Sequence, residues 1–520
     1  MYFWIVITGG IFAFVAAMGI GANDVANAYA TSIGSKSLTI RQAVILASIF
    51  EAGGAILMGS HVTKTIRKGI ADYKCFEDDP GSLMYGSMWV CFSVAMWLFI
   101  ASKYEMPVST THSCVGGIIG MTIALKGSDC VIWYQEKDTF PFIGGVAGIV
   151  ASWVVSPIFS AILSSSLFGI LRTCFLRSQD SFSRTSYVFP IMVGATVTLN
   201  TFYIVYKGAK GLGLDNTPIE IACAWSFGFG GVSALAVIPL VSYIKKRVSE
   251  RIDQQKYNNN GSNDKSRRGE NKTSETASTS DSHNNNTEDS CCFCCMSDCL
   301  EKKDCTGLVQ YVNKSLKIDI NEVIASDENV LAIHDSAEKF EPKTEELFKS
   351  LQVFTAICDS FSHGANDVAN AIGPFAAIYI ISRENEVNKK SELGTDAYWI
   401  LALGGAGIAL GLALYGYKII QAIGLKLCKI TPSRGVAIEL ASALVIITGS
   451  RLEIPLSTTH CQIGATMGVA ALENPRTCSG MNRTIVFKTI IGWVITLVVV
   501  GSTAAVLTAQ GAYGPETTGP

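Results

Sequence analysis

Apolar residues gather into stretches of roughly 17–25, the length a helix needs to cross about 30 Å of hydrocarbon. They occupy 3–29, 41–59, 83–101, 108–125, 141–171, 188–206 and 220–243, and then 351–381, 398–421, 435–449, 456–472 and 485–509. Each stretch is read as helix, because open sheet edges cannot face lipid. The stretches at 108–125 and 456–472 are short and interrupted by glycine, and are expected to be broken or re-entrant half-helices. From 245 to 350 the pattern stops: Lys245, Lys246 and Arg247 lead into a run rich in Asn, Ser, Lys and Glu with almost nothing to bury, which is expected to be disordered. The prediction is an all-α integral membrane protein of about twelve transmembrane segments, with an N-terminal half over 1–244, a hydrophilic loop over 245–350 and a C-terminal half over 351–520.

Composition agrees with this class. The 520 residues are 49% hydrophobic and 16% charged, against about 25% charged in soluble domains. The first cation is Lys36, so the first segment lacks the basic leader of a signal peptide and is expected to remain as a helix. The basic start of the loop, with Arg172, Arg177 and Arg184, places the loop in the cytoplasm and both termini outside. Lys64, Arg67, Lys68 and Lys74 on the expected outer side run against that bias. No GxxxxGK[ST] or HExxH motif occurs, and no aqueous domain could house one, so an enzyme or ATP-driven pump is not expected. Nothing points to nucleic acid.

The octapeptide GANDVANA occurs twice, at 21–28 and 364–371, and each copy is followed by PVSTTH (107–112) or PLSTTH (455–460). If every segment spans, an odd number of crossings separates the copies, which makes them antiparallel: an inverted repeat, the architecture of secondary transporters with a site at the bilayer midplane. On a helix Asn23 and Asn27 share a face with Asp24 adjacent, and glycines at 19 and 21 loosen the turn before them. A carboxylate among amide and carbonyl oxygens suits a hard cation, most simply sodium. The same holds for Asn366, Asp367 and Asn370.

Proline followed by Ser and Thr marks a helix start, so each STTH motif looks like the N-terminus of a half-helix, with free N–H groups and hydroxyls converging on one spot. Ser109, Thr110 and Thr111 with Ser457, Thr458 and Thr459 offer up to six hydroxyl donors to a tetrahedral oxyanion. Neither motif holds Arg or Lys, so the anion's charge and the two aspartates need cations beside them. Two sodium ions with one dihydrogen phosphate would move one net positive charge inward and draw about 2.3 kcal/mol per 100 mV.

These motifs, the hydrophilic loop between halves and the run RQAVILASIFE (41–51) resemble the inorganic phosphate transporter (PiT) family, in particular its eukaryotic sodium-dependent members. The resemblance implies sodium-coupled phosphate uptake through a twelve-helix inverted-repeat fold. Phosphate then falls on the six hydroxyl residues named above, and sodium on Asn23, Asp24, Asn27, Asn366, Asp367 and Asn370. Glu51 and Glu439 match glutamates that the family needs for transport; they either complete a cation shell, act in gating or bond across helices. Aligning the halves sets Glu51 near Gly404 or Gly405 and Glu439 near Cys91. Proton coupling, as in plant and bacterial relatives, is the alternative; an anion channel and a phosphate sensor or receptor are remoter ones.

His112, His363 and His460 adjoin the motifs and either bind phosphate, relay protons or sit as core histidines, the reading preferred for His363. Cys75 and Cys130 share the expected outer side, where a disulfide could join them. The cluster Cys291, Cys292, Cys294, Cys295, Cys299 and Cys305 suggests lipidation ahead of zinc. The expected partners are phosphate, co-transported sodium or protons and the bilayer, most simply the plasma membrane, with no resident cofactor and with room for a homodimer.

Overall fold

The computed structural model describes residues 3–138, 140–206, 213–214, 217–269, 324–325, 327–388, 393–394, 397–473 and 480–513. Their architecture is almost wholly helical. In the first half α1 (Phe3–Ile20) passes through a π-helical turn (Gly21–Val25) into α2 (Ala26–Gly34), followed by α3 (Ile40–Lys68), α4 (Pro80–Lys103) and α5 (Thr110–Lys126). A two-residue hairpin (Gln135–Glu136 with Ile143–Gly144) leads to α6 (Gly145–Leu171), α7 (Ser181–Val205) and α8 (Ile219–Gly269). The second half holds α9 (Glu328–Ser336), α10 (Pro342–Glu384), α11 (Tyr398–Tyr415), α12 (Tyr417–Gly424), α13 (Pro432–Arg451), α14 (Thr458–Glu473) and α15 (Arg483–Ala512).

Each of the twelve apolar stretches falls on helix, and nine helices among the described residues are long and apolar enough to cross a membrane. Polar residues set the ends. Thr39 and Gln42 form a reciprocal capping box at α3, and Asp79 caps α4 with Pro80 at its first position. The Asn482 side chain accepts from Ile485 N to start α15.

The expected linker is shorter than 245–350. Helix α8 runs on to Gly269, α9 occupies Glu328–Ser336 and α10 begins at Pro342, so only its middle lies outside the described residues, together with the cysteine cluster at 291–305. Hydropathy missed the start of α10 because its first turns carry Lys343, Glu345 and Glu346. They meet partners at the helical ends: Glu345 accepts from Ser433 N and Oγ, and Glu346 pairs with Lys349.

Two close crossings set the centre. A Cβ on Gly21 would lie 1.8 Å from the Ile408 carbonyl oxygen, and one on Gly411 1.8 Å from that of Met18, so α1 and α11 approach backbone to backbone. In the second half, a Cβ on Gly364 would meet the Glu51 oxygen at 2.1 Å and one on Gly54 the Phe361 oxygen at 2.0 Å, so α10 crosses α3 in the same way. By these matched crossings Glu51 holds the place in the first half that Ile408 holds in the second, rather than that of Gly404 or Gly405. Asn23 and Asn366 donate alike to Ser102 and Ser450 at 3.0 Å, and Glu439 and Cys91 each lie eleven residues before those serines.

The two GANDVANA copies differ in one respect. The first sits on the π turn, whereas the second lies within the unbroken α10. Two glycines, Gly19 and Gly21, loosen the first copy, and the second has Ser362 where the first has Gly19. Apolar side chains of α6, α8 and α15 such as Val155, Phe159, Phe227, Leu235, Val494 and Val498 stay exposed, the surface a lipid-facing layer requires.

Candidate functional site

Helices α5 and α14, at 17 and 16 residues, are about 25 Å long, short of the about 30 Å of hydrocarbon. Both begin inside the protein. Ser109 Oγ accepts from His112 N and Ser457 Oγ from His460 N, each at 3.3 Å, so each serine caps its own half-helix. Extended chain carries each motif from the preceding helix down to this buried start.

The two starts meet. Ser457 Oγ donates to Ser109 Oγ at 2.8 Å, Thr111 Oγ1 to the Leu456 carbonyl at 2.7 Å and Thr459 Oγ1 to that of Val108 at 3.1 Å. Each aspartate is gripped by both halves. Asp24 accepts from Thr459 Oγ1 (2.7 Å) and from Thr110 N (3.2 Å), while Asp367 accepts from Thr458 Oγ1 (2.7 Å) and Thr110 Oγ1 (3.3 Å). None of the six hydroxyl residues, nor Asn23, Asp24, Asn366, Asp367 or Asn370, is more than 3% exposed. The side chain of Asn27 lies outside the described residues.

The amides divide their work. Asn23 accepts from Val108 N at 3.0 Å and donates to the Met106 carbonyl at 3.0 Å, which ties the GANDV turn to the chain entering α5. Asn370 donates to Thr110 and Thr111 at 3.1 and 3.2 Å. The amide oxygens of Asn366 and Asn370 are buried and accept from no protein donor. Two unengaged hard oxygens beside a carboxylate fit a hard cation.

His363 is more than a core histidine. Its Nδ1 lies 2.9 Å from Glu51 Oε2 and its Nε2 3.1 Å from Asp367 Oδ2, so the ring bridges the two carboxylates. Ser360 adds a 3.0 Å bond to Glu51. His112 and His460 face elsewhere. They lie 4.7 Å apart; His112 stacks on Trp153 (3.6 Å) and His460 lies tilted against Trp493 (3.5 Å), as core rings behind the threonines.

Glu439 belongs to a second polar cluster. It accepts from Thr31 (2.6 Å), Ser32 (2.7 Å) and Gln352 (3.2 Å) on one side and from Thr355 (2.6 Å) on the other. Asp359, which the sequence reading passed over, is also buried, and its Oδ1 has no hydrogen-bond partner. A carboxylate one turn before HGAND was the available signal. Cys75 and Cys130 form a disulfide that ties the α3–α4 loop to the segment after α5.

Known proteins are similar to the chain over nearly its whole length. Residues 20–504 match the model of the phosphate transporter family. A putative phosphate permease of Pyrococcus abyssi is 32% identical, covering 97% of each chain. Sodium-dependent phosphate transporter 1 of Xenopus tropicalis is 28% identical over 98% of this chain and 96% of its own. A solved structure titled the sodium-dependent phosphate transporter superposes with a TM-score of 0.71 at 27% identity, covering 98% of this chain and 99% of the other.

Proposed function

The chain belongs to the phosphate transporter family, and from that premise we propose that it is a symporter that imports inorganic phosphate with sodium by alternating access. One observation carries this reading: Asp24 and Asp367 each accept from threonines of α5 and α14, so a single buried cluster unites hydroxyl donors and carboxylates from both halves. The matched crossings of α1 with α11 and of α10 with α3 support two halves related as an inverted repeat. The phosphate ligands are Ser109, Thr110, Thr111, Ser457, Thr458 and Thr459. The sodium ligands are Asn23, Asp24, Asn27, Asn366, Asp367 and Asn370.

The hydrogen bonds suggest why the cation is obligatory. Thr458 and Thr459 donate to the aspartates, so an oxyanion must compete with Asp367 and Asp24 for the same protons. Two like charges would then face each other in a medium of low dielectric. Sodium on the carboxylates removes that repulsion and lets the hydroxyls turn to phosphate. Cation binding should therefore precede anion binding, and with two sodium ions and one dihydrogen phosphate the loaded site carries one net charge fewer negative than phosphate on the two aspartates with a single sodium.

The disulfide supports placing its face on the oxidising exterior, and Lys245, Lys246 and Arg247 support a cytoplasmic loop; the plasma membrane, where the sodium gradient is maintained, fits both. Glu51 and Glu439 act in coupling or gating on this reading. The second reading, proton coupling, rests on His363 between Glu51 and Asp367. Uptake of radiolabelled phosphate into vesicles under sodium, lithium and choline, with and without a pH gradient, separates them. Sodium coupling predicts uptake that collapses in choline; uptake driven by the pH gradient alone would favour protons, and conductance persisting without sodium would favour a channel.

A further inference from the structure

Each STTH half-helix is preceded by a glutamate two residues before the proline, and both glutamates adopt the left-handed region, Glu105 at φ 55° and Glu453 at φ 56°. A residue with a Cβ rarely adopts that conformation unless its surroundings hold it there. Both close a helix in a Schellman turn, with Met106 N donating to the Ala101 carbonyl and Ile454 N to that of Gly449, each at 2.9 Å. Each side chain then meets a lysine: Glu453 lies 3.5 Å from Lys64 near the end of α3, and Glu105 3.0 Å from Lys426 just past α12. Thr65 Oγ1 also donates to the Glu453 carbonyl at 2.8 Å.

A cavity opens beside each latch. The first, about 410 Å³, is bordered by Lys64, Lys68, Lys137, Glu453 and Pro455, so it reaches within two residues of Ser457. The second, about 310 Å³, is bordered by Lys426, Lys488, Glu105, Asp327 and Pro107. They lie at opposite ends of the protein. Helix α15 starts at the second cavity and, about 45 Å further on, ends at Tyr513, which bonds the Ala124 carbonyl at the far end of α5. There Lys126 pairs with Asp79 at the start of α4, next to the disulfide-bonded loop and the first cavity.

The two mouths differ in charge. Three lysines face one carboxylate in the first, whereas two lysines balance two carboxylates in the second. The buried hydroxyl site offers no cation to draw an anion from solution, so attraction must come from outside it. We propose that the cavity of Lys64, Lys68 and Lys137 is a capture site for inorganic phosphate, where the oxyanion replaces Glu453 as the partner of Lys64 before passing Pro455 to the hydroxyls. The electroneutral mouth at the other end holds the anion less and suits release. This inference rests on the phosphate-transport reading and extends it to the path of access.

The test compares initial phosphate uptake into vesicles by the full chain and by Lys68→Gln/Lys137→Gln, at constant sodium and with ionic strength varied by choline chloride. Loss of two cations should raise the KM for phosphate on the disulfide side about three- to tenfold, leave the maximal rate unchanged and flatten the rise of KM with ionic strength. Lys68→Arg/Lys137→Arg keeps the charge and should keep the KM, which separates electrostatics from misfolding. Wild-type uptake with an unmoved KM in the glutamine variant, or an arginine variant as impaired as the glutamine one, would overturn the capture site alone. A wild-type protein that takes up no phosphate would overturn the transport reading and this inference with it.

Discussion

Asp24→Asn keeps the shape of a buried side chain and removes its charge. The carboxylate takes a 2.7 Å bond from Thr459 Oγ1 and a 3.2 Å bond from Thr110 N. A carboxamide can keep its oxygen on Thr110 N and turn its NH2 to Thr459 Oγ1, which accepts while donating to the Val108 carbonyl, so the local hydrogen bonding is largely preserved. The lost charge matters more. A cation about 4 Å from a unit negative charge gains about 4 kcal/mol at an effective dielectric of 20, on the order of a thousandfold in affinity. Sodium-dependent phosphate uptake by the variant should therefore fall to background in proteoliposomes matched for protein, and tenfold more sodium should not restore it. Thermal unfolding of the purified variant should stay cooperative, since Asn fits the π turn that Asp24 occupies. Uptake by Asp24→Asn with the wild-type sodium dependence would refute the reasoning.

Thr459→Ala removes a donor from the second half to Asp24 and Val108 of the first and should raise the KM for phosphate about tenfold or more, as for a bond to a charged group; Thr459→Ser should recover most of the loss in the same uptake assay. Cys75→Ser frees a bridge of sequence separation 55 and should lower thermal stability by at most about 4 kcal/mol, read by unfolding under oxidising and reducing conditions. Outside the membrane, hydrogen bonds from Arg177, helped by Arg172, hold the Glu338 carboxyl below its ordinary range. The clamp this gives the 172–177 segment is complete above about pH 4.3 and is lost as pH falls through the lower folded value. Hydrogen-exchange protection in that segment, measured against the intrinsic rate at each pH, should fall on acidification, and Glu338→Gln should remove the dependence.

Much of this was written in the sequence. Hydropathy found the helices because lipid accepts only apolar runs, and the recurrence of GANDVANA and STTH singled out the residues that the fold gathers. Pairing over long separations was not legible: nothing local says that Glu51 meets His363 or that Glu439 faces Thr31, Ser32, Gln352 and Thr355. Helix ends rich in charge were lost for a related reason. Lys343, Glu345 and Glu346 read as loop by composition, yet α10 begins at Pro342: Lys343 and Glu345 meet Ser249 and Ser433 on neighbouring helices, and Glu346 pairs with Lys349 within its own. The mouths were hidden as well, since Lys137 joins Lys64 and Lys68, one turn apart on α3, only through the fold.

The most direct measurement is equilibrium binding of radiolabelled phosphate to the purified protein as sodium is varied against choline. The account predicts one phosphate per chain, with an affinity that climbs with sodium and vanishes in choline. Equal phosphate affinity in sodium and in choline would contradict it.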